Sequence, residues 1–383
     1  MNAPAFAPIP FLDLKAQQAR IPDLRRRIDN VLAHGQYILG PEVAELETAL
    51  QNFTGAKHCV TVSSGTDALQ IALMAENIGP GDAVFLPAFT YTATAEVILV
   101  LRATPIFVDV DPDTFQIDPE HLKCRIAQVK AAGKLMPRAI IGVDLFGQPA
   151  NWPEITKIAE REQIFTLDDF AQSFGASLNN RRLGTFAHAA ATSFFPSKPL
   201  GAYGDGGALF TDDDERAALY RSLRTHGEGA TRYEVLRIGM NGRLDTLQAA
   251  ILLAKLEIFE AELARREQLA KLYDEGLKNL VQTPARVANS VSAWAVYAIL
   301  FETEAQRHRA QYAFKSAGIG NAIYYPRPLH HQPAYTQHHD GTPLPVSEDI
   351  SSRILALPIH PDLTDAQAAR VISYVRATVG APA

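Results

Sequence analysis

The sequence predicts an α/β protein with a mostly parallel sheet, followed by a smaller α+β unit. Three observations carry that expectation. Seven short apolar runs alternate with helix-length segments, the pattern of parallel strands joined by crossover helices. After Asn241 the pattern changes to one long helical stretch. The chain's 383 residues, 47% hydrophobic and 20% charged, suffice for one large and one small core.

Each element follows from its own residues. The first 40 residues are rich in proline and end at Gly40-Pro41, a break that starts a helix with Pro at its first position. Val43, Leu46, Leu50 and Phe53 recur at helical spacing, and Gly55 closes that helix. The apolar runs are Cys59–Ser63, Ala83–Pro87, Pro105–Val110, Ala139–Leu145, Ile164–Asp168, Ala191–Phe195 and Gly207–Thr211. Asp245 is placed to cap a long helix with Leu247, Ile251, Ala254 and Ile258 on one face. It runs to about Leu280, a length that suits a bridge between two units. Beyond it, Ala293–Phe301 reads as a strand, and Thr364 with Gln367 as a capping box opening the last helix. We place the large unit at 1–250 and the bridging helix with the small unit at 251–383.

Composition excludes several functions. A net charge of −6 without a basic patch argues against nucleic acid, whose phosphates demand a basic face. Two cysteines, Cys59 and Cys124, are too few for a disulfide framework and share no metal-ligand spacing; half-buried, reduced fillers are expected. The N-terminus lacks the basic start and apolar stretch of a signal peptide. The most apolar region, 92–110, is broken by Glu96, Arg102 and Asp109, so no membrane span is expected, and the protein reads as cytoplasmic.

Four segments carry chemistry. Ser63-Ser64-Gly65-Thr66-Asp67 lies where a strand passes into a helix, so bare amides and the helix dipole make a phosphate site there. It also reads as a plain turn capped by Ser64 or Thr66. Asp168-Asp169 ends a buried strand, where a carboxylate needs a cationic partner such as a protonated pyridine nitrogen; one of the two could instead cap the next helix. Lys198 stands amid Phe, Pro and Gly with no acid within five residues. Lysines are ordinarily solvated, but desolvation would lower its pKa and make it a nucleophile and base. Asn241-Gly242-Arg243 precedes a helix and suits anion recognition, or simple capping. All four fall at strand ends or helix starts, where open α/β sheets bind ligands.

With these residues in view, the sequence resembles the DegT/DnrJ/EryC/StrS sugar aminotransferases, pyridoxal-5′-phosphate (PLP) enzymes of fold type I. The match runs from Phe11-Leu12-Asp13-Leu14 to Leu357-Pro358-Ile359-His360-Pro361, through SSGTDAL (63–69), PAFTYTAT (87–94), DDFAQSFGA (168–176), SFFPSKPLGAYGDGG (193–207) and NGRLDTLQAA (241–250). The resemblance implies that Lys198 holds PLP as a Schiff base and acts as the base, while Asp169 pairs with the pyridine nitrogen. It implies Gln172 beside the phenolic oxygen and Tyr91 stacked on the ring. Gly65, Thr66 and Ser193 would hold the phosphate, joined by Asn241 from a second subunit, hence a homodimer. Where the family has Glu-Asp, this chain has Asp168-Asp169. Members acting as dehydratases carry His in place of the lysine, so Lys198 favours transamination over a lyase. Three stretches, 34–47, 193–211 and 243–260, are similar to enzymes that aminate UDP-2-acetamido-2-deoxy-3-oxo-D-glucuronate, with L-glutamate as donor, for bacterial surface polysaccharides such as the O-antigen of lipopolysaccharide. A dTDP- or UDP-linked 3-keto or 4-keto deoxysugar is the alternative. Arg243, Tyr324, Tyr325 and His330 are the expected sugar contacts. His330, His331, His338 and His339 lie in a Pro-rich loop without familiar ligand spacing, so no metal is expected there.

Overall fold

The computed structural model describes residues 7–231 and 233–380. Seven strands form the central sheet: β1 His58–Val62, β2 Asp82–Pro87, β3 Thr104–Val108, β4 Met136–Val143, β5 Phe165–Asp169, β6 Ala189–Ser193 and β7 Gly207–Thr211. Their order is β1-β7-β6-β5-β4-β2-β3. Neighbours from β6 across to β3 are parallel, and β7 runs antiparallel to both β1 and β6. Each expected run overlaps one of these strands.

Strand alternation builds two cores from the same residues, one on each face. Phe85, Ile140 and Ala190 pack on one side with Trp152 and Phe194. Val84, Leu86, Ile141, Ala189 and Leu209 pack on the other with Leu69 and Ile98. Helices Gly65–Ala75, Ala93–Val100, Pro119–Ala132 and Trp152–Glu162 cover the faces. Both sides of the sheet are therefore dry, and its strand ends are left for chemistry.

The run expected as a strand at Ala191–Phe195 ends two residues earlier. Ser193 still pairs with Gly207, but the Phe194 N–H goes to the Gly206 carbonyl and its own carbonyl accepts from Ala202. Phe194 is buried and Phe195 exposed. Apolar character thus continued past the ladder because Phe194 fills a core from a loop.

The bridging helix spans Thr246–Leu277, 32 residues. Its front half contributes Ala249, Leu252 and Phe259 to the large core, and its rear Leu269, Tyr273 and Leu277 to a separate one. The Asp245 side chain makes no cap bond, contrary to expectation; its carbonyl accepts from Gln248 and Ala249 instead. The small unit pairs strand Tyr297–Leu300 antiparallel with Ile354–Leu357. The expected strand from 293 is shorter because the Ala293 N–H is taken by Gly147. Thr364 and Gln367 form the expected capping box. Ile9 exchanges backbone hydrogen bonds with Gly318 and Gly320 and packs with Phe314. The segment at Ile9 therefore packs with the small unit. Cys59 is buried and Cys124 exposed. Among the described residues no helix is long and apolar enough to cross a membrane.

Candidate active site

β1 delivers the chain to Ser63-Ser64, and the helix starts at Gly65. The Ser64 hydroxyl accepts from the Asp67 N–H at 3.0 Å, and the Ser63 hydroxyl bonds the Asp67 carboxylate. Ser64 therefore caps the helix, and the other first-turn amides have no helical partner. A Cβ on Gly65 would stand 2.7 Å from the Ser193 Cβ, so the turn is pressed against the end of β6. The Ser63 N–H donates to the Gly242 carbonyl at 2.9 Å, which draws the Asn241-Gly242-Arg243 turn to the same place.

Asp168 and Asp169 end β5, and alternation sends them to opposite faces. Asp169 accepts from the Thr94 hydroxyl at 2.8 Å. Burial raises its pKa, while the Thr94 hydroxyl and the Lys198 amine pull it back down. Asp168 accepts from the Gly184 N–H at 3.1 Å and caps nothing. Its other oxygen faces Asp144, a buried acid that takes the Ala150 N–H at 2.7 Å and the Trp152 indole at 2.9 Å. Burial raises both pKa values, and each carboxyl bears on the other. Two carboxyl groups in hydrogen-bond contact require a shared proton. Thr94 and Asp144 were not singled out in the sequence. Thr94 had a weak signal, as a hydroxyl within an apolar helix; Asp144 had none, because its partner lies on the next strand.

Lys198 sits on a tight loop closed by its own N–H to the Phe195 carbonyl at 2.9 Å. Some of its surface is open, yet the amine lies deep among protein atoms. Burial lowers its pKa, and the Asp169 carboxylate opposes part of that. The loop is held from behind by Lys255, whose buried amine donates to the Gly201 carbonyl at 2.6 Å. A cleft at Lys198 is lined by Leu12, Asp13, Pro196, Arg266, His360 and Pro361. The two ends of the matched sequence thus meet beside the lysine. A larger cavity, about 200 Å³, lies at the β3 edge against Arg125 and His339. It contains none of the four chemical segments, so size does not locate this site.

Gln172 accepts from the Phe146 N–H and donates to the Tyr325 hydroxyl, both at 3.0 Å. Tyr91 is exposed, its ring 6.3 Å from that of Tyr325; Tyr324 packs edge-on against Phe11. Asn241 is exposed, and the Arg243 Nε is buried without a partner. His330 is not brought to this group. Its ring packs toward Phe107 and its Nε2 meets Glu348 at 3.2 Å, so the expected sugar contact is not kept. The remaining groups fit a flat anionic cofactor. Its phosphate would lie on the amides beside Gly65 and Ser193, where a side chain at Gly65 would intrude, and its basic ring nitrogen on Asp169.

The chain is similar to known proteins over nearly its whole length. A sequence profile of the DegT/DnrJ/EryC1/StrS aminotransferase family matches residues 20–376. The UDP-2-acetamido-2-deoxy-3-oxo-D-glucuronate aminotransferase of Pseudomonas aeruginosa is 48% identical over 360 residues, covering 94% of this chain and 97% of its own. The crystal structure of a DegT DnrJ EryC1 StrS aminotransferase from Brucella abortus superposes with a TM-score of 0.95 at 48% identity, covering 97% of this chain and all of the other. That of S. venezuelae DesV in complex with a ketimine intermediate gives 0.92 at 35% identity, covering 99% and 100%.

Proposed function

Because the chain belongs to the DegT/DnrJ/EryC1/StrS aminotransferase family, we propose that it carries an amino group from L-glutamate to the 3-keto group of UDP-2-acetamido-2-deoxy-3-oxo-D-glucuronate. The cofactor is PLP. The single observation that carries the site assignment is a buried lysine amine facing a buried aspartate that keeps one strong hydroxyl donor. The 48% identity to the Pseudomonas aeruginosa enzyme supports the substrate.

Bound PLP supplies an aldehyde carbon that joins the amine and a ring that withdraws the electron pair left when a proton departs. The chain's residues do the rest. Asp169, which accepts from the Thr94 hydroxyl and lies in the field of the Lys198 amine, would pair with the protonated ring nitrogen. Lys198 would anchor the aldehyde and, as a free amine, would accept the Cα proton of the donor; burial lowers its pKa. Gln172, fixed by Phe146 and Tyr325, would set its amide beside the phenolic oxygen. Tyr91 would cover one ring face. Gly65, Thr66 and Ser193 would hold the phosphate, joined by Asn241 of a second copy. Arg243, with its unpartnered Nε, offers donors to the sugar carboxylate or the diphosphate. Tyr324 and Tyr325 line the sugar side.

An exposed apolar surface supports the homodimer. Tyr37, Ile38, Leu39, Val235, Leu236 and Ile238 are exposed. Ile38 pairs with Asp245 and Thr225 with Asn241, so this apolar surface surrounds the Asn241 turn. A cytoplasmic enzyme of surface-polysaccharide synthesis agrees with a nucleotide-sugar substrate.

Absorbance spectra test the site. Wild type should be yellow, and Lys198→Ala should lose the visible band and turnover; retention of both sinks the assignment. Assays with keto-sugars bearing or lacking the C6 carboxylate test the substrate. Faster turnover without the carboxylate would favour a deoxysugar instead.

A further inference from the structure

We infer that His330, His331 and Glu348 form a binding site for a divalent transition-metal cation, with Zn²⁺ as its probe. The three side chains each offer one ligand atom, and these atoms all lie within 4.8 Å of one another. Glu348 Oε1 stands 3.2 Å from His330 Nε2 and 3.7 Å from His331 Nε2. Tetrahedral zinc with bonds of about 2.0–2.2 Å holds its ligand atoms roughly 3.3–3.5 Å apart. The carboxylate oxygen is therefore already near the required spacing from both imidazoles, and the wider edge closes by small rotations of exposed side chains.

Local structure explains how the set assembles. Leu329–His331 forms a single tight turn, and the rings of its two histidines stand with centroids 4.2 Å apart. That turn is pinned by the Leu329 N–H to the Ala88 carbonyl at 2.8 Å. Glu348 comes from the first turn of helix Pro345–Arg353, itself fixed by Ser347 bonding Asp109 at 2.6 Å. Two anchored elements thus present three donors across a short gap.

An ordinary ion pair would need only one imidazole. The second lies on the same oxygen at a distance too long for a hydrogen bond, an arrangement that an ion between the three atoms satisfies better than a proton. His330 is 1% exposed, whereas His331 and Glu348 are 51% and 44% exposed. One ligand is rigid, two can adjust, and solvent supplies the open position. Two imidazoles and one carboxylate select zinc-like ions over magnesium. The site lies behind residues 88–92, since Tyr335 of the same loop bonds Thr92. An ion there would brace the segment carrying Tyr91.

The test uses the PLP-loaded protein. It is equilibrated with Zn²⁺ against a chromogenic chelator, and retained metal is counted after dialysis. We expect one Zn²⁺ per chain, no competition from Mg²⁺, and at least about tenfold weaker binding in both His331→Ala and Glu348→Gln. Each variant should keep wild-type circular dichroism and the visible cofactor band, which separates this test from that of the active site. A third variant, His338→Ala, should bind as wild type does. No stoichiometric Zn²⁺ in wild type, or equal binding in both ligand variants, overturns the proposal.

Discussion

At the scale of residues, Asp169 depends on one hydroxyl. A hydrogen bond to a charged group contributes about 1.5–3 kcal/mol, and Thr94 supplies one to Asp169. Removing it raises the pKa of a carboxyl that must be ionised to work. In Thr94→Val the acid limb of the kcat profile should therefore move to higher pH, with kcat at that end falling about tenfold or more. An unmoved limb would show that Thr94 only packs. Asp168 and Asp144 give a second expectation, for stability. Their folded pKa values are raised, so the folded state keeps a proton that the unfolded chain has released. Their contribution is full below the ordinary carboxylate range and is lost as pH rises through the folded values. Asp168→Asn, which carries hydrogen without titrating, should flatten the fall in thermal stability between acid and neutral pH. A slope equal to wild type would argue against a shared proton. Local oddity drew the sequence reading to the pair Asp168-Asp169 and to Lys198, acids ending an apolar run and a lysine without neighbouring acids, while the choice of Asp169 came from the family resemblance alone. It could not reach Asp144, whose meaning arises only when β4 and β5 lie side by side.

At the scale of elements, the phosphate turn works by close approach. A methyl on Gly65 would meet Ser193 at 2.7 Å, and overpacking of that kind costs about 1–3 kcal/mol. Gly65→Ala should weaken cofactor binding about ten- to a hundredfold, read by titrating apoprotein with PLP; an unchanged Kd would show that this turn does not meet the cofactor. Every strand of the sheet was legible as a run, because burial on both faces leaves a continuous apolar word. Strand ends were less legible. Phe194 extended a run beyond its ladder, since a core accepts apolar side chains from loops as readily as from strands. Asp245 looked like a cap by type and position, yet its helix begins with backbone bonds alone.

At the scale of the whole molecule, Asn241 is exposed beside an apolar surface. Ile238→Asp should shift the protein to monomers in sedimentation and lower cofactor retention with them. A monomer with full cofactor would separate Asn241 from the phosphate. The order of the strands and the meeting of both chain regions at Lys198 were not legible as geometry, since pairing across hundreds of residues leaves no local period. The histidine loop is another such case: its carboxylate partner sits on a different element, so no spacing within the loop announces it.

The cleft beside Lys198 draws on Leu12 and Asp13 as well as His360 and Pro361. On a ribosome, the lysine loop emerges long before the last of these walls. A nascent chain therefore cannot complete this cleft until His360 and Pro361 have been made.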